Sequence, residues 1–327
     1  MTALQARIPR AKTLRLGTRG SALALAQSGQ VAQHLAAAVG APVDLVAIRS
    51  QGDTDPRALV SIGGAGVFVA ALRSALLAGQ VDLVVHSLKD LPTAPEPDLL
   101  LAAVPVREDP ADVLVAGSGV DGSGGGLDAL ASGARVGTGA PRRASQLAVL
   151  RPDLVIVPVR GNVDTRIGKV RTGELDGVVL ARAGLARLGR LRDIAHTFSA
   201  EQMLPAPGQG ALAVECRTDE PELGAAVAAA LDDAASRCAV AAERALLAAL
   251  EAGCSAPVGA LAQVRGDVLV LTAVVGGTGR QSAQAPYDWG AAGEHSAAEL
   301  GWTLARQLAA AGARDVLGTT NEKVMGQ

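Results

Sequence analysis

The sequence predicts an α/β protein, with two βα domains joined across a hinged cleft and a small α+β domain at the C-terminus. Two observations carry this. Through residues 14–180, short apolar or β-branched runs alternate with Ala/Leu-rich stretches of helical length, the pattern of a largely parallel sheet with helices on both faces. The alternation also repeats in its letters. Leu16-Gly-Thr-Arg19 is echoed by Val136-Gly-Thr138 before Pro141-Arg-Arg143, and Gly79-Gln-Val-Asp-Leu-Val-Val85 by Gly173-Glu-Leu-Asp-Gly-Val-Val179.

In chain order, Leu14 to Thr18 reads as a strand that Gly17-Thr-Arg-Gly-Ser21 turns into a helix reaching about Val39, with Ser21 as its N-cap. Val43 to Arg49 is the next strand, and Gly63-Gly-Ala-Gly66 leads into a helix ending near Gly79. The strand Val81 to Val85 ends in His86, Ser87, Lys89 and Asp90, and Pro92 stops any regular continuation. Polar residues at a strand's carboxyl end are where open α/β sheets bind ligands, and in the second copy Ala183 and Gly184 stand where the first has Lys89 and Asp90.

Val104 to Pro110, charged and flanked by prolines, reads as a hinge. Beyond it come strand Asp112 to Ala116, a flexible Gly/Ser loop from Gly117 to Gly126, strand Ala134 to Thr138 and helix Pro141 to Leu150. Strand Leu154 to Val159, helix Val163 to Thr172 and strand Leu175 to Leu180 complete the repeat. Leu204-Pro-Ala-Pro-Gly-Gln-Gly210, followed by an alternating run to Cys216, is a second crossing back to the first domain. Helices near Glu220 to Leu231 and Ser236 to Ala252 lead to the Gly253-Cys-Ser-Ala-Pro257 loop, and then to strands Val258 to Val264 and Val268 to Val275 and a helix Ala297 to Ala311. The domains are expected at 1–106 with 207–231, at 107–206, and at 232–327.

Composition narrows the chemistry. Thirty basic against 32 acidic residues leave a net charge of −2, so no basic field draws nucleic acid or a membrane, and 2% aromatics give almost no stacking platform for bases. No apolar run reaches membrane-spanning length and no secretory signal follows Met1, which points to the cytoplasm. Three widely spaced cysteines, Cys216, Cys238 and Cys254, indicate neither a disulfide framework nor a metal site. Cys254, among small residues before a proline, is the accessible thiol. Arg19, Arg142, Arg143, Arg160 and Arg166 sit in turns or first helical turns beside Gly, Ser, Thr or Asn, a recurrence that suits an anion rich in carboxylate or phosphate. A two-lobed anion-binding protein without catalysis and a cysteine hydrolase both fit parts of this, although none of the four histidines gives the thiol a triad partner.

The motifs in combination resemble the porphobilinogen deaminase (hydroxymethylbilane synthase) family. They are Gly17-Thr-Arg-Gly-Ser-Ala-Leu-Ala-Leu-Ala-Gln27, Val85-His-Ser-Leu-Lys-Asp-Leu-Pro92, Arg107-Glu-Asp-Pro110, Val136-Gly-Thr-Gly-Ala-Pro-Arg-Arg143, Arg160-Gly-Asn-Val-Asp-Thr-Arg166, Leu180-Ala-Arg-Ala-Gly-Leu185, Pro207-Gly-Gln-Gly-Ala211 and Glu251-Ala-Gly-Cys-Ser-Ala-Pro-Val-Gly259. The resemblance implies two periplasmic-binding-protein-like domains and a third that carries a dipyrromethane cofactor on Cys254 through a thioether. It also implies a cytoplasmic, monomeric enzyme that joins four porphobilinogen molecules head to tail with loss of ammonia. Asp90 matches the catalytic carboxylate. Arg19, Ser21, Lys89, Arg142, Arg143, Arg160, Arg166 and Arg187 match groups that hold cofactor and substrate side chains, and no metal is implied. Two departures stand out: Ser61-Ile-Gly-Gly-Ala-Gly-Val-Phe68 lacks the lysines common in the family, and Ala140 replaces a frequent serine.

Overall fold

The computed structural model describes residues 13–49, 65–117, 126–253, 256–276, 278–287 and 293–318. Cys254, Gly63, Gly64 and most of the predicted Gly/Ser loop lie outside the described residues. The chain forms two compact units, one of residues up to Arg107 with Ala211–Arg237, the other of Glu108–Gly210 with the chain from Cys238 onward.

The first unit is built on a five-stranded sheet of β1 (Leu14–Thr18), β2 (Val43–Ala47), β3 (Leu83–Ser87), β4 (Leu99–Ala103) and β10 (Leu212–Arg217), in the order β2-β1-β3-β10-β4. Helices α1 (Ala22–Val39), α2 (Ala65–Leu77) and α6 (Pro221–Leu231) accompany it. Ser21 caps α1 as expected, accepting from the Ala24 amide at 3.3 Å, and Gly40 closes it in the left-handed region. Leu16, Leu35, Leu83, Val214 and Val227 form its core.

The second unit repeats the plan with β5 (Asp112–Ala116), β6 (Arg135–Thr138), β7 (Val155–Pro158), β8 (Gly177–Ala181) and β9 (His196–Thr197) in the order β7-β6-β8-β5-β9. Its helices are α3 (Pro141–Leu150), α4 (Val163–Arg171) and α5 (Arg182–Arg187). To this unit belong the antiparallel meander β11 (Val258–Arg265), β12 (Val268–Val275) and β13 (Thr278–Pro286), α8 (Gly293–Ala310) and most of α7 (Ala234–Ala249). Leu246, Leu271 and Leu304 join the meander to these two helices in one core.

Both five-stranded sheets are mixed where the alternation predicts parallel pairing. β1, β2 and β3 run parallel, but β10 is antiparallel to β3 and β4; β6, β7 and β8 run parallel, but β5 is antiparallel to β8 and β9. The reason is where the chain re-enters. β10 begins opposite Ser87 and β5 opposite Ala181, each at the carboxyl end of its neighbour, so it can only run back down. Strands β4, β9 and β13 and the short helix α5 were not predicted.

Beneath β3 lies a buried cluster. Glu215 accepts from Arg73 Nε at 3.0 Å and Nη2 at 2.7 Å and lies 3.1 Å from His86 Nε2. Burial works against the charged form, but His86 and Arg73 more than offset it and hold the Glu215 carboxyl down at about 2. The depressed value makes this interaction fully stabilising above the ordinary glutamate value of 4.5 and lost as pH falls toward 2. Glu215→Gln leaves Arg73 short of a buried partner and is expected to cost about 3–5 kcal/mol at neutral pH. It should also flatten the acid limb of stability between those two values; acid titration of both proteins by circular dichroism checks this, and parallel acid limbs would contradict it.

Candidate active site

In the first unit the expected residues gather at the carboxyl ends of two neighbouring parallel strands. β1 delivers Arg19 and Ser21, and β3 runs into a single 3-10 turn, Leu88–Asp90, that carries Lys89 and Asp90. The Leu88 amide is tied to the Ala211 carbonyl at 3.0 Å, and Ser87 donates to Gln27 at 3.3 Å, so the turn is anchored on both sides. Asp90 itself is half-buried and makes no hydrogen bond or ion pair among the described residues. The Arg19 guanidinium lies 3.4 Å from the centroid of the Phe68 ring, a cation–π contact that helps hold the charged head. Phe68 belongs to the segment that lacks the family's lysines.

In the second unit the arginines occupy the corresponding ends of β6, β7 and β8. Arg142 and Arg143 form the first turn of α3, Arg160 follows β7, Arg166 sits in the first turns of α4, and Arg187 ends α5. Their environments differ sharply. Arg142 and Arg143 are 3% and 5% exposed and share the fully buried Asp112. Arg142 Nη1 donates to Asp112 Oδ2 and to the Leu204 carbonyl, each at 2.6 Å. Arg143 donates through Nε at 3.0 Å and Nη2 at 2.8 Å to Asp112 Oδ1, and through Nη1 to the Val179 carbonyl at 3.0 Å. All three Arg143 nitrogens are thus committed, whereas Nε and Nη2 of Arg142 make no hydrogen bond among the described residues.

Arg166 donates to the Gly161 carbonyl at 2.8 Å, and Arg187 to the Gly210 carbonyl at 2.7 Å. Burial, and then the charge of Arg143, push the Arg166 guanidinium down; burial pushes Arg187 down against the pull of Glu108. Arg160 is exposed and makes no such bond. A Cβ on Gly139 would sit 2.5 Å from the Val159 carbonyl and 4.0 Å from Arg166 Nη2, so only glycine lets the turn after β6 come this close. Cations crowded together with too few carboxylates make a site that favours an anion.

Sequence reasoning weighted Arg142 and Arg143 equally as ligands; the structure separates them by their free donors. It also overlooked Asp112, whose signal was a carboxylate opening an apolar strand just after the Arg107-Glu-Asp-Pro110 motif, and Gln209, present in a quoted motif without a role. Of the thiols, Cys216 and Cys238 are buried as expected, and burial pushes Cys216 up to about 11, which keeps it protonated and inert. No group of metal-ligating side chains occurs among the described residues. None of their helices is long and apolar enough to cross a membrane.

Comparison with known proteins decides the family. Residues 14–225 match the family model described as porphobilinogen deaminase, dipyromethane cofactor binding domain, and residues 237–310 match the porphobilinogen deaminase C-terminal domain. The chain belongs to the porphobilinogen deaminase family. It is similar to porphobilinogen deaminase 1 of Streptomyces coelicolor, 55% identical over 94% of this chain and 98% of that protein. It is also similar to the porphobilinogen deaminases of Thermobifida fusca (53% identity, 90% of this chain and 91% of that protein) and Nocardia farcinica (51%, 93% and 88%). A lipoprotein of known structure from Vibrio vulnificus, immunogenic lipoprotein A, is 12% identical, with a TM-score of 0.42 over 66% of this chain and 94% of that one. Membership in this family does not favour an anion-binding protein without catalysis.

The fit to a dipyrromethane can be tested on the residues present. Each pyrrole of such a group carries an acetate and a propionate, and the partly uncommitted guanidinium of Arg142, together with Arg166, is chemically suited to receive them. The different environments predict different losses. Arg143→Leu strands Asp112 with a single cation and is expected to cost about 3–5 kcal/mol, whereas Arg160→Leu should stay within about 0.5 kcal/mol of the parent. Denaturant unfolding of the two variants measures this, and equal stabilities would contradict it.

Proposed function

We propose that this protein is a porphobilinogen deaminase (hydroxymethylbilane synthase), a transferase of tetrapyrrole biosynthesis that condenses four porphobilinogen molecules head to tail into hydroxymethylbilane, releasing one ammonia per condensation. The reading is carried by two features of a chain of this family: in the first unit a carboxylate, Asp90, with no bonded partner among the described residues, and in the second unit a cluster of arginines short of anions. The dipyrromethane, joined to Cys254 by a thioether, supplies the free pyrrole α-carbon from which the chain grows. Support for Cys254 comes from its motif and from the burial of Cys216 and Cys238. In this reading the protein acts as a cytoplasmic monomer.

The residues then divide the work. As the C–N bond of the aminomethyl group breaks, its electron pair leaves with nitrogen and a cation spreads over the substrate ring and its N–H. Asp90 stabilises that cation, and it accepts the pyrrole α-proton displaced when the new C–C bond forms. Lys89 and Arg19 supply positive charge on the same sheet end for substrate carboxylates, and Ser21 adds a hydroxyl at the N-terminus of α1. Arg142, Arg160, Arg166 and Arg187 hold the carboxylates of cofactor and growing chain, while Arg143 supports Arg142 through their shared Asp112.

Asp90→Asn keeps the side chain's size and, because Asp90 makes no bond that folding depends on, should change stability by less than about 0.5 kcal/mol. Ammonia release should fall by about two to three decades, since a transition-state charge contact is lost. Turnover and melting temperature measured on one preparation decide it: near-normal ammonia release would remove Asp90 from the chemistry.

A further inference from the structure

Asp112 opens β5 with no exposed surface, and its four acceptor contacts are all made from within the second unit: one from Arg142, two from Arg143 and one from Gln209 Nε2 at 2.9 Å. The same Gln209 nitrogen donates to the Pro110 carbonyl at 2.7 Å, and Gln209 is 1% exposed. Here Arg142 and Arg143 lean on a single carboxylate, and Arg166 feels Arg143 with no carboxylate to offset it. These three guanidinium groups outnumber their one carboxylate, and Arg160 and Arg187 in the same unit add to the excess. Gln209 stabilises the Asp112 carboxylate as a neutral donor, so it fixes the geometry without altering that count.

We propose that Asp112, secured by Gln209, is a positioning residue that aims Arg142 and offsets one positive charge of an arginine cluster that receives ligand carboxylates. This rests on the reading of the cluster as a carboxylate site. Asp112, fully buried, acts through the arginines, and of Arg142 it engages only Nη1.

The test uses the holoenzyme. Gln209→Met removes the neutral donor at constant charge, and KM for porphobilinogen is expected to rise roughly tenfold while kcat stays within about threefold. Cofactor occupancy, read by intact mass, should fall below the parent's, and KM should keep the parent's dependence on KCl. Asp112→Asn adds one uncompensated positive charge to the cluster, so KM should climb more steeply with KCl than in the parent. Arg142→Leu and Arg166→Leu serve as controls: if both keep the parent's KM and occupancy, the carboxylate reading itself fails. If the controls respond but Gln209→Met leaves KM and occupancy unchanged, or Asp112→Asn leaves the KCl dependence unchanged, the positioning role is overturned. Should Asp112→Asn not fold, Gln209→Met decides alone.

Discussion

Holding the Asp112 carboxylate out of reach of water costs several kcal/mol unless its oxygens are met, and the second unit is arranged to meet them. The start of β5, the first turn of α3 and the 207–210 segment all converge on this one side chain. Helix α3 needs it, because its N-cap is Ala140 and its first turn holds two arginines and no acidic residue. Burial and the partners pull Asp112 in opposite directions, and Arg142 with Arg143 wins, holding the carboxyl far below the ordinary carboxylate range. The segment is itself locally constrained: Gly210 has φ +87, and a Cβ there would run into the Glu108 carbonyl, so only glycine lets the backbone approach this closely at that point.

The first unit solves a similar problem with Glu215, Arg73 and His86, the last of these on the strand that runs into the turn carrying Asp90. The contrast between the carboxylates is informative. Glu215 and Asp112 are buried and saturated, so their charges are spent on structure; Asp90 is half-buried and unpaired, so its charge remains available. Glu243 follows the structural pattern, accepting from the Gly208 amide at 2.7 Å and the Ala262 amide at 2.8 Å, and so ties the 207–210 segment to α7 and β11. Position on the sheet and hydrogen-bond saturation together separate a scaffold carboxylate from a chemical one.

Much of this was legible in the sequence, because periodicity and capping are local. β1, α1 with its Ser21 cap, β3, β6 and α3 fall where apolar runs and turn residues put them. The internal echo correctly foretold two sheets of one plan. What local patterns cannot show is strand direction after a long excursion, so the antiparallel β5 and β10 escaped notice. β13 escaped because Thr278-Gly-Arg-Gln-Ser-Ala-Gln-Ala-Pro286 is too polar to read as a strand; it is an edge strand paired only to β12. The site residues with charged or nucleophilic side chains were legible by type, but the division of labour among the arginines was not. It depends on Asp112, some 30 residues away from α3 in sequence, and on which guanidinium nitrogens it leaves open.

The central claim is that the chain builds its product on a pyrrole anchor covalently held by one cysteine. The most direct measurement is the mass of the protein as purified, followed by peptide mapping of the three cysteines. The account predicts a mass above that of the sequence by an adduct of two pyrrole units, confined to the peptide containing Cys254, with Cys216 and Cys238 unmodified. Catalytically active protein with an unmodified Cys254, or with the adduct on either buried thiol, would contradict it.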